Sequence, residues 1–150
     1  MPLQLLALLG AALSGAAMTA QAAINGALSK MVGLVATTFV VQVVGLLASG
    51  LVLLGAGSFR HLAGMTGAPP LLWTGGLLGV FIIFSMAFVM PRLGAGLAVA
   101  VVLTAQLVAA LVFDHFGLLG MPRAPVNWMR LLGAGLLVAG AWLVKASTPS

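Results

Sequence analysis

The amino-acid sequence predicts an all-α integral membrane protein with five transmembrane helices in a single domain over residues 1–150. Of its 150 residues, 63% are hydrophobic and only 5% are charged, whereas a soluble domain carries about 25% charged residues. Five apolar segments reach the roughly 20 residues that a helix needs to cross a bilayer. None of them alternates apolar and polar residues as the strands of a membrane β-barrel do. The lipid bilayer is therefore the solvent that this composition fits.

Turn-forming residues separate the five segments. Asn25-Gly26 is a turn dipeptide that follows the first segment. Pro91 is expected to end the third helix, because proline cannot donate to the helical hydrogen-bond ladder. Glycines and prolines between residues 57 and 70, and again between 117 and 125, mark two longer loops. The predicted helices run from about Leu3 to Ile24, Val32 to Gly57, Leu71 to Met90, Gly94 to Phe113 and Trp128 to Val144.

Several function classes are disfavoured by composition. The chain has no cysteine, so disulfides and thiolate metal sites are excluded. Two histidines and one carboxylate side chain cannot complete a metal site within one chain, and no cofactor is expected. The six Lys and Arg residues are scattered singly rather than clustered, which argues against a nucleic-acid partner. No plausible set of nucleophile, base and orienting residue indicates an enzyme.

The basic residues are divided equally between the two sides of the membrane. Because the number of helices is odd, the loops after the second and fourth helices share a side with the N-terminus. That side holds Arg60, Arg123 and Arg130, and the opposite side holds Lys30, Arg92 and Lys145. An excess of Lys and Arg normally fixes orientation, so an equal division favours insertion in both directions. The alternative is that another weak signal fixes one orientation.

Amide side chains inside the apolar segments are candidates for substrate binding. A polar group in hydrocarbon costs free energy unless it is paired or hydrated. Gln21 and Asn25 lie on one stripe of the first helix, Gln42 lies on a similar stripe of the second, and Gln106 falls near mid-depth of the fourth. Trp73 is expected to anchor the third helix or to line the mouth of a pocket. Hydrogen bonding that only holds helices together remains the alternative.

Asp114 is the only carboxylate side chain in the protein. One interpretation is a structural ion pair at the membrane interface, with Arg123 or Arg130 as the partner. The other is a coupling or substrate-binding group, because proton-driven transport through a carboxylate would have to use this residue. The two histidines, His61 and His115, are both expected in loops.

Four motifs give the sequence a family resemblance. They are Gln21-Ala-Ala-Ile-Asn25-Gly-Ala-Leu28, Pro91-Arg-Leu-Gly94-Ala95, Gln106 followed by Asp114-His-Phe-Gly-Leu118 with Arg123 and Pro125, and Arg130-Leu-Leu-Gly133. Together they resemble the YdcZ (DUF606) family of the drug/metabolite transporter superfamily over nearly the whole chain. The resemblance implies a five-helix half-transporter of the bacterial inner (plasma) membrane, assembled as an antiparallel homodimer, a closely related pair or a fused ten-helix protein. Such proteins are exporters, and the resemblance supplies no substrate.

The expected function is secondary transport of a small metabolite or drug-like compound by alternating access. The expected partners are the bilayer, a small-molecule substrate and a second copy of the chain in the opposite orientation. The substrate is expected at the dimer midline, bound by Gln21, Asn25 and Gln106 with their symmetry mates. A channel is an alternative that requires a continuous polar lining. A non-transporting membrane scaffold or assembly partner is another, and it requires amides that face inward and are fully paired.

Overall fold

A computed structural model describes residues 2–147 of the chain. Within this range five helices are long and apolar enough to cross a membrane, so the predicted helix count and the all-helical class are confirmed. They are α1 (Pro2–Val32), α2 (Leu34–Gly55), α3 (Pro70–Leu93), α4 (Ala95–Phe116) and α5 (Trp128–Ala146). Two 3₁₀ segments, Ser58–Gly67 and Leu118–Gly120, occupy parts of the loops after α2 and α4.

The structure divides into two compact units, residues 1–92 and residues 93–150. In the first unit α1 packs against α2 and contacts α3. In the second unit α4 packs against α5, and the side chain of Val144 on α5 lies beside Gly96 on α4.

Small side chains form the interior, because the largest apolar side chains point outward. The buried apolar residues among those described are Ala22, Ala87, Met90 and Ala98. Leucines and other bulky residues remain exposed on every helix, as with Leu46 at 70% and Leu136 at 65%. Small residues let helix backbones approach closely, which is how membrane helices gain packing energy without a hydrophobic drive. The apolar exterior suits a surface that faces lipid.

Helix α1 continues through Asn25-Gly26 to Val32, past the predicted end at Ile24. The dipeptide lies in a packed part of the helix rather than in a turn. A Cβ atom on Gly26 would stand 3.2 Å from the ring carbons Cδ and Cγ of Pro91 on α3. Glycine is therefore present here because another helix approaches the backbone, and turn chemistry does not explain it.

Helix α3 likewise continues through Pro91 and ends at Leu93, past the predicted end at Met90. Proline lacks the N–H that would bond to the carbonyl of Ala87 one turn earlier. The single hydroxyl proton of Ser29 on α1 is shared between that carbonyl, with an Oγ to O distance of 3.2 Å, and the carbonyl of Gly26 on its own helix, at 2.8 Å. Membrane helices tolerate proline when a neighbouring hydroxyl satisfies the freed backbone group, and Ser29 does so here.

Two glycines make the shortest connections between helices. Gly33 joins α1 to α2 with φ 83° and ψ 161°, and Gly94 joins α3 to α4 with φ 75° and ψ 161°. This backbone region is essentially restricted to glycine. At each connection the glycine carbonyl accepts a 3.1 Å hydrogen bond from the N–H four residues later, from Thr37 and Ala98 respectively. Both of these residues are 0% exposed, so α2 and α4 begin with the same local backbone geometry.

Candidate functional site

The two predicted amides on α1 have different environments. Asn25 is 4% exposed and adjoins the Gly26 contact with α3, whereas Gln21 is exposed one turn earlier. Within residues 2–147 neither side chain forms a hydrogen bond. Of the two amides predicted to share a stripe of α1, Asn25 is therefore buried and Gln21 is exposed.

Two buried hydroxyl side chains lie on α2, in the same unit as Asn25. Thr38 is 6% exposed, and its Oγ1 donates to the carbonyl of Leu34 at 2.9 Å. Thr37 is 0% exposed, and its Oγ1 is the one buried side-chain N or O atom of the described residues that has no hydrogen-bond partner. The predicted residue Gln42 is half-buried one turn further along α2.

Thr37 and Ser29 are polar positions that the sequence did not single out. Both are short hydroxyl residues that can bond to their own helix, so neither stands out by type. The available signal for each was its spacing: Ser29 lies four residues before Gly33, and Thr37 lies four residues after it.

Trp73 lies far along α3 from the enclosed amide Asn25. Its indole Nε1 donates to the carbonyl of Ala68, just before the helix begins, at 3.5 Å. The side chain is 53% exposed. At a rise of about 1.5 Å per residue, Trp73 is about 25 Å along the helix from Met90, next to the Gly26 contact. The structure therefore separates Trp73 from Asn25.

Gln106 stands at the middle of the 22-residue helix α4. Its side chain is exposed and forms no hydrogen bond within the described residues. At 100° per residue it points about 200° around the helix from half-buried Thr104. An amide at mid-depth of an apolar helix thus has no hydrogen-bond partner among residues 2–147.

Asp114 forms an ion pair with Arg130, one of the two partners that the sequence left open. The Arg130 Nη1 to Asp114 Oδ2 distance is 3.1 Å, and the side chains are 34% and 37% exposed respectively. Arg130 also donates to the carbonyl of Ala124 at 3.2 Å. The backbone carbonyl of Asp114 accepts from the N–H of Ala124 at 2.8 Å. Asp114 therefore stabilises the loop between α4 and α5 through its side chain and its backbone carbonyl.

Arg123, the other partner left open, contacts the same loop and forms no ion pair with any of the described residues. Its Nε donates to the carbonyl of His115 at 3.2 Å. The His115 ring contributes as well, because its Nδ1 accepts from the N–H of Val126 at 3.2 Å. Asn127 caps α5 by accepting from the N–H of Arg130 at 3.0 Å. His115 lies in the last turn of α4 rather than in a loop.

Comparison with known proteins gives one match. A family model described as "Putative inner membrane exporter, YdcZ" matches residues 6–143. The family is one of exporters rather than of enzymes. No curated protein and no solved structure matches the chain.

Proposed function

Because this chain belongs to the YdcZ family (DMT_YdcZ) and resides in the inner membrane, we propose that it is half of a secondary transporter, completed by a second copy in the opposite orientation. The transporter exports a small metabolite or drug-like compound. Alternating access arises from rocking of one subunit against the other around a site near mid-depth. The family match supports membrane transport, and the chain's own residues support the antiparallel dimer.

The observation that carries the proposal is the unpaired amide of Gln106 at the middle of α4. The two-fold axis of an antiparallel dimer lies in the membrane plane at mid-depth. Residues at this depth are therefore the ones that can meet their own symmetry mates. An amide has two donors and one acceptor, so a pair of Gln106 side chains can satisfy each other or hold a polar substrate between them.

The distribution of positive charge also supports two orientations. Lys30, Arg92 and Lys145 lie in the last turns of α1, α3 and α5. Because these helices cross in the same direction, their C-terminal ends lie on one side, where cations also stabilise the helix dipoles. Arg60, Arg123 and Arg130 belong to the other side. Three cations on each side give no excess that would fix the orientation.

Labelling of single cysteines measures orientation without knowledge of the substrate. The native chain has no cysteine, so each engineered thiol is the only reactive one. Ser147→Cys follows α5, and Thr66→Cys lies in the exposed loop on the other side. We expect an impermeant maleimide to label about half of each variant in intact cells. Near-complete labelling of one and none of the other would contradict the proposal.

Biased variants connect orientation to activity. Lysines added at Ser58 and Thr66 favour one orientation, and lysines added at Ala146 and Ser147 favour the other. Each biased variant alone should lose flux in a vesicle screen of metabolites and drug-like cations, and co-expression of the two should restore it. A control with one lysine on each side should stay active. Full flux from a singly expressed biased variant would refute the requirement for a mixed pair.

The Gln106 amide is tested in the same flux screen. Gln106→Leu should abolish flux while the dimer persists on size-exclusion chromatography. Gln4→Leu is the matched control, because it removes an exposed amide near the start of α1. Unchanged flux through Gln106→Leu would assign this side chain a purely structural part.

A further inference from the structure

A groove runs between α4 and α5 within the second unit. It has a volume of about 340 Å³ and is lined by Val108, Val112, Leu131 and Ala134, among others, with His115 as the one polar residue of its lining. Val108, Val112 and Leu131 are 49%, 46% and 55% exposed respectively, so the groove is open along its side. An open, apolar groove on a membrane-spanning helix pair is accessible to lipid.

The groove extends from the middle of the membrane to its surface. Its lining reaches along α4 from Val108, close to the helix midpoint, to Phe116 at the helix end. These eight steps span about 12 Å, close to the roughly 15 Å depth of one leaflet's hydrocarbon. The shape therefore matches a single acyl chain that enters from the headgroup level.

A cation without an acidic partner stands at the surface end of the groove. Arg123 donates through Nε to the carbonyl of His115, and His115 also lines the groove. The only carboxylate side chain of the protein, Asp114, is already paired with Arg130. Within residues 2–147 the terminal guanidinium nitrogens of Arg123 thus face no anion.

We propose that this groove binds an anionic phospholipid, with an acyl chain between α4 and α5 and the phosphate on Arg123. The charge of the protein favours lipid over a second copy as the occupant. The chain has six Lys and Arg residues against one Asp and a net charge of +5, so a second copy would bring an excess of cations to Arg123, whereas an anionic lipid brings a phosphate. Guanidinium groups bind phosphate through paired N–H donors, and anionic headgroups supply that phosphate at this depth.

Native mass spectrometry of the purified chain tests the site with defined lipids. Phosphatidylglycerol and phosphatidylcholine with identical acyl chains are the probes, so that only the headgroup charge differs. We expect preferential retention of phosphatidylglycerol. Arg123→Gln should weaken that retention about five-fold, the effect of about 1 kcal/mol for one arginine at a lipid surface. Arg60→Gln is the matched control, because it removes a cation from the same side and lies outside the groove lining.

Filling the groove separates acyl-chain binding from headgroup attraction. Ala134→Phe should abolish retention of both lipids, and Val112→Trp on the opposite wall provides a second variant at an exposed position. Equal retention of the two lipids by the native chain, or equal losses in Arg60→Gln and Arg123→Gln, would overturn the headgroup assignment. Unchanged retention in both filled variants would overturn the groove assignment. Dissociation of the dimer by the filled variants would instead make the groove a protein interface and refute the proposal.

Discussion

The hydrogen bond between Ser29 on α1 and the carbonyl of Ala87 on α3 makes a quantitative prediction about Pro91. This carbonyl needs an external donor because residue 91 is proline. In Pro91→Ala the restored N–H can close the helical bond to Ala87, since α3 is helical through Leu93. The consequence of losing the Ser29 hydroxyl should therefore depend on the residue at position 91.

The expected size follows from burial. Ala87 is 0% exposed. In Ser29→Ala the carbonyl of Ala87 therefore loses its donor in an apolar surrounding. Hydrogen bonds between membrane helices contribute about 0.6 kcal/mol on average and up to about 1.7 kcal/mol. Full burial favours the upper part of this range, so Ser29→Ala should lower the free energy of unfolding by about 1.5 kcal/mol. In the Pro91→Ala background the loss should fall to about 0.5 kcal/mol, which gives a coupling of about 1 kcal/mol.

The assay is a double-mutant cycle in which SDS unfolds the protein from mixed micelles, followed by far-UV circular dichroism. Ser49→Ala is the matched control. Its hydroxyl bonds to the carbonyl three residues earlier, as Ser29 also does, and it forms no bond to another helix. Ser49→Ala and Pro91→Ala should be additive. The effects of independent sites add within about 0.5 kcal/mol. A Ser29–Pro91 coupling energy below that value would refute the idea that the Ser29 hydroxyl replaces the N–H that Pro91 lacks.

Five further variants test the glycine connection, the buried hydroxyls and the ion pair by the same unfolding measurement. Gly33→Ala should lower the free energy of unfolding by about 1–3 kcal/mol, because alanine avoids this backbone region. Gly45→Ala, in an open helical position, should raise it by up to about 1 kcal/mol. Equal effects would contradict the backbone conformation described for Gly33. Thr37→Val should leave the free energy of unfolding unchanged or raise it, because it removes a buried hydroxyl that has no partner among the described residues. Thr38→Val should lower it by about 1 kcal/mol. The reverse order would refute this. Asp114→Asn should lower the free energy of unfolding by about 1 kcal/mol or less, because the ion pair is one-third exposed. The variant should retain flux in vesicles. Loss of flux with intact folding would favour a coupling role for Asp114.

The helix count was predictable because it depends on composition and segment length, which the bilayer thickness constrains directly. The ends of α1 and α3 were not predictable from local signals. Asn25-Gly26 and Pro91 interrupt helices in water, but here they meet each other across a helix contact. Glycine makes room for the proline ring, and Ser29 satisfies the carbonyl that proline frees. A tertiary contact thus reverses the local preference of both motifs.

The candidate site was predictable to a similar extent. The depth of Gln106 follows from counting residues along an apolar helix, and the structure has it at the middle of α4. The enclosure of Asn25 depends on which face α3 covers, and residue spacing on α1 alone does not contain that information. The choice of Arg130 over Arg123 as the partner of Asp114 depends on the path of the loop between α4 and α5.

Disulfide cross-linking at two positions of α4 tests the antiparallel dimer most directly. Gln106 and Phe113 differ by about 20° around the helix and by about 10 Å along it. A disulfide requires Cα atoms about 4.4–6.8 Å apart. In an antiparallel pair, thiols introduced at position 106 lie at mid-depth and can meet, whereas thiols at position 113 are about 20 Å apart along the axis. We predict that Gln106→Cys forms a covalent dimer under mild oxidation in membranes and that Phe113→Cys remains monomeric. Cross-linking at both positions, or at position 113 alone, would contradict the antiparallel arrangement.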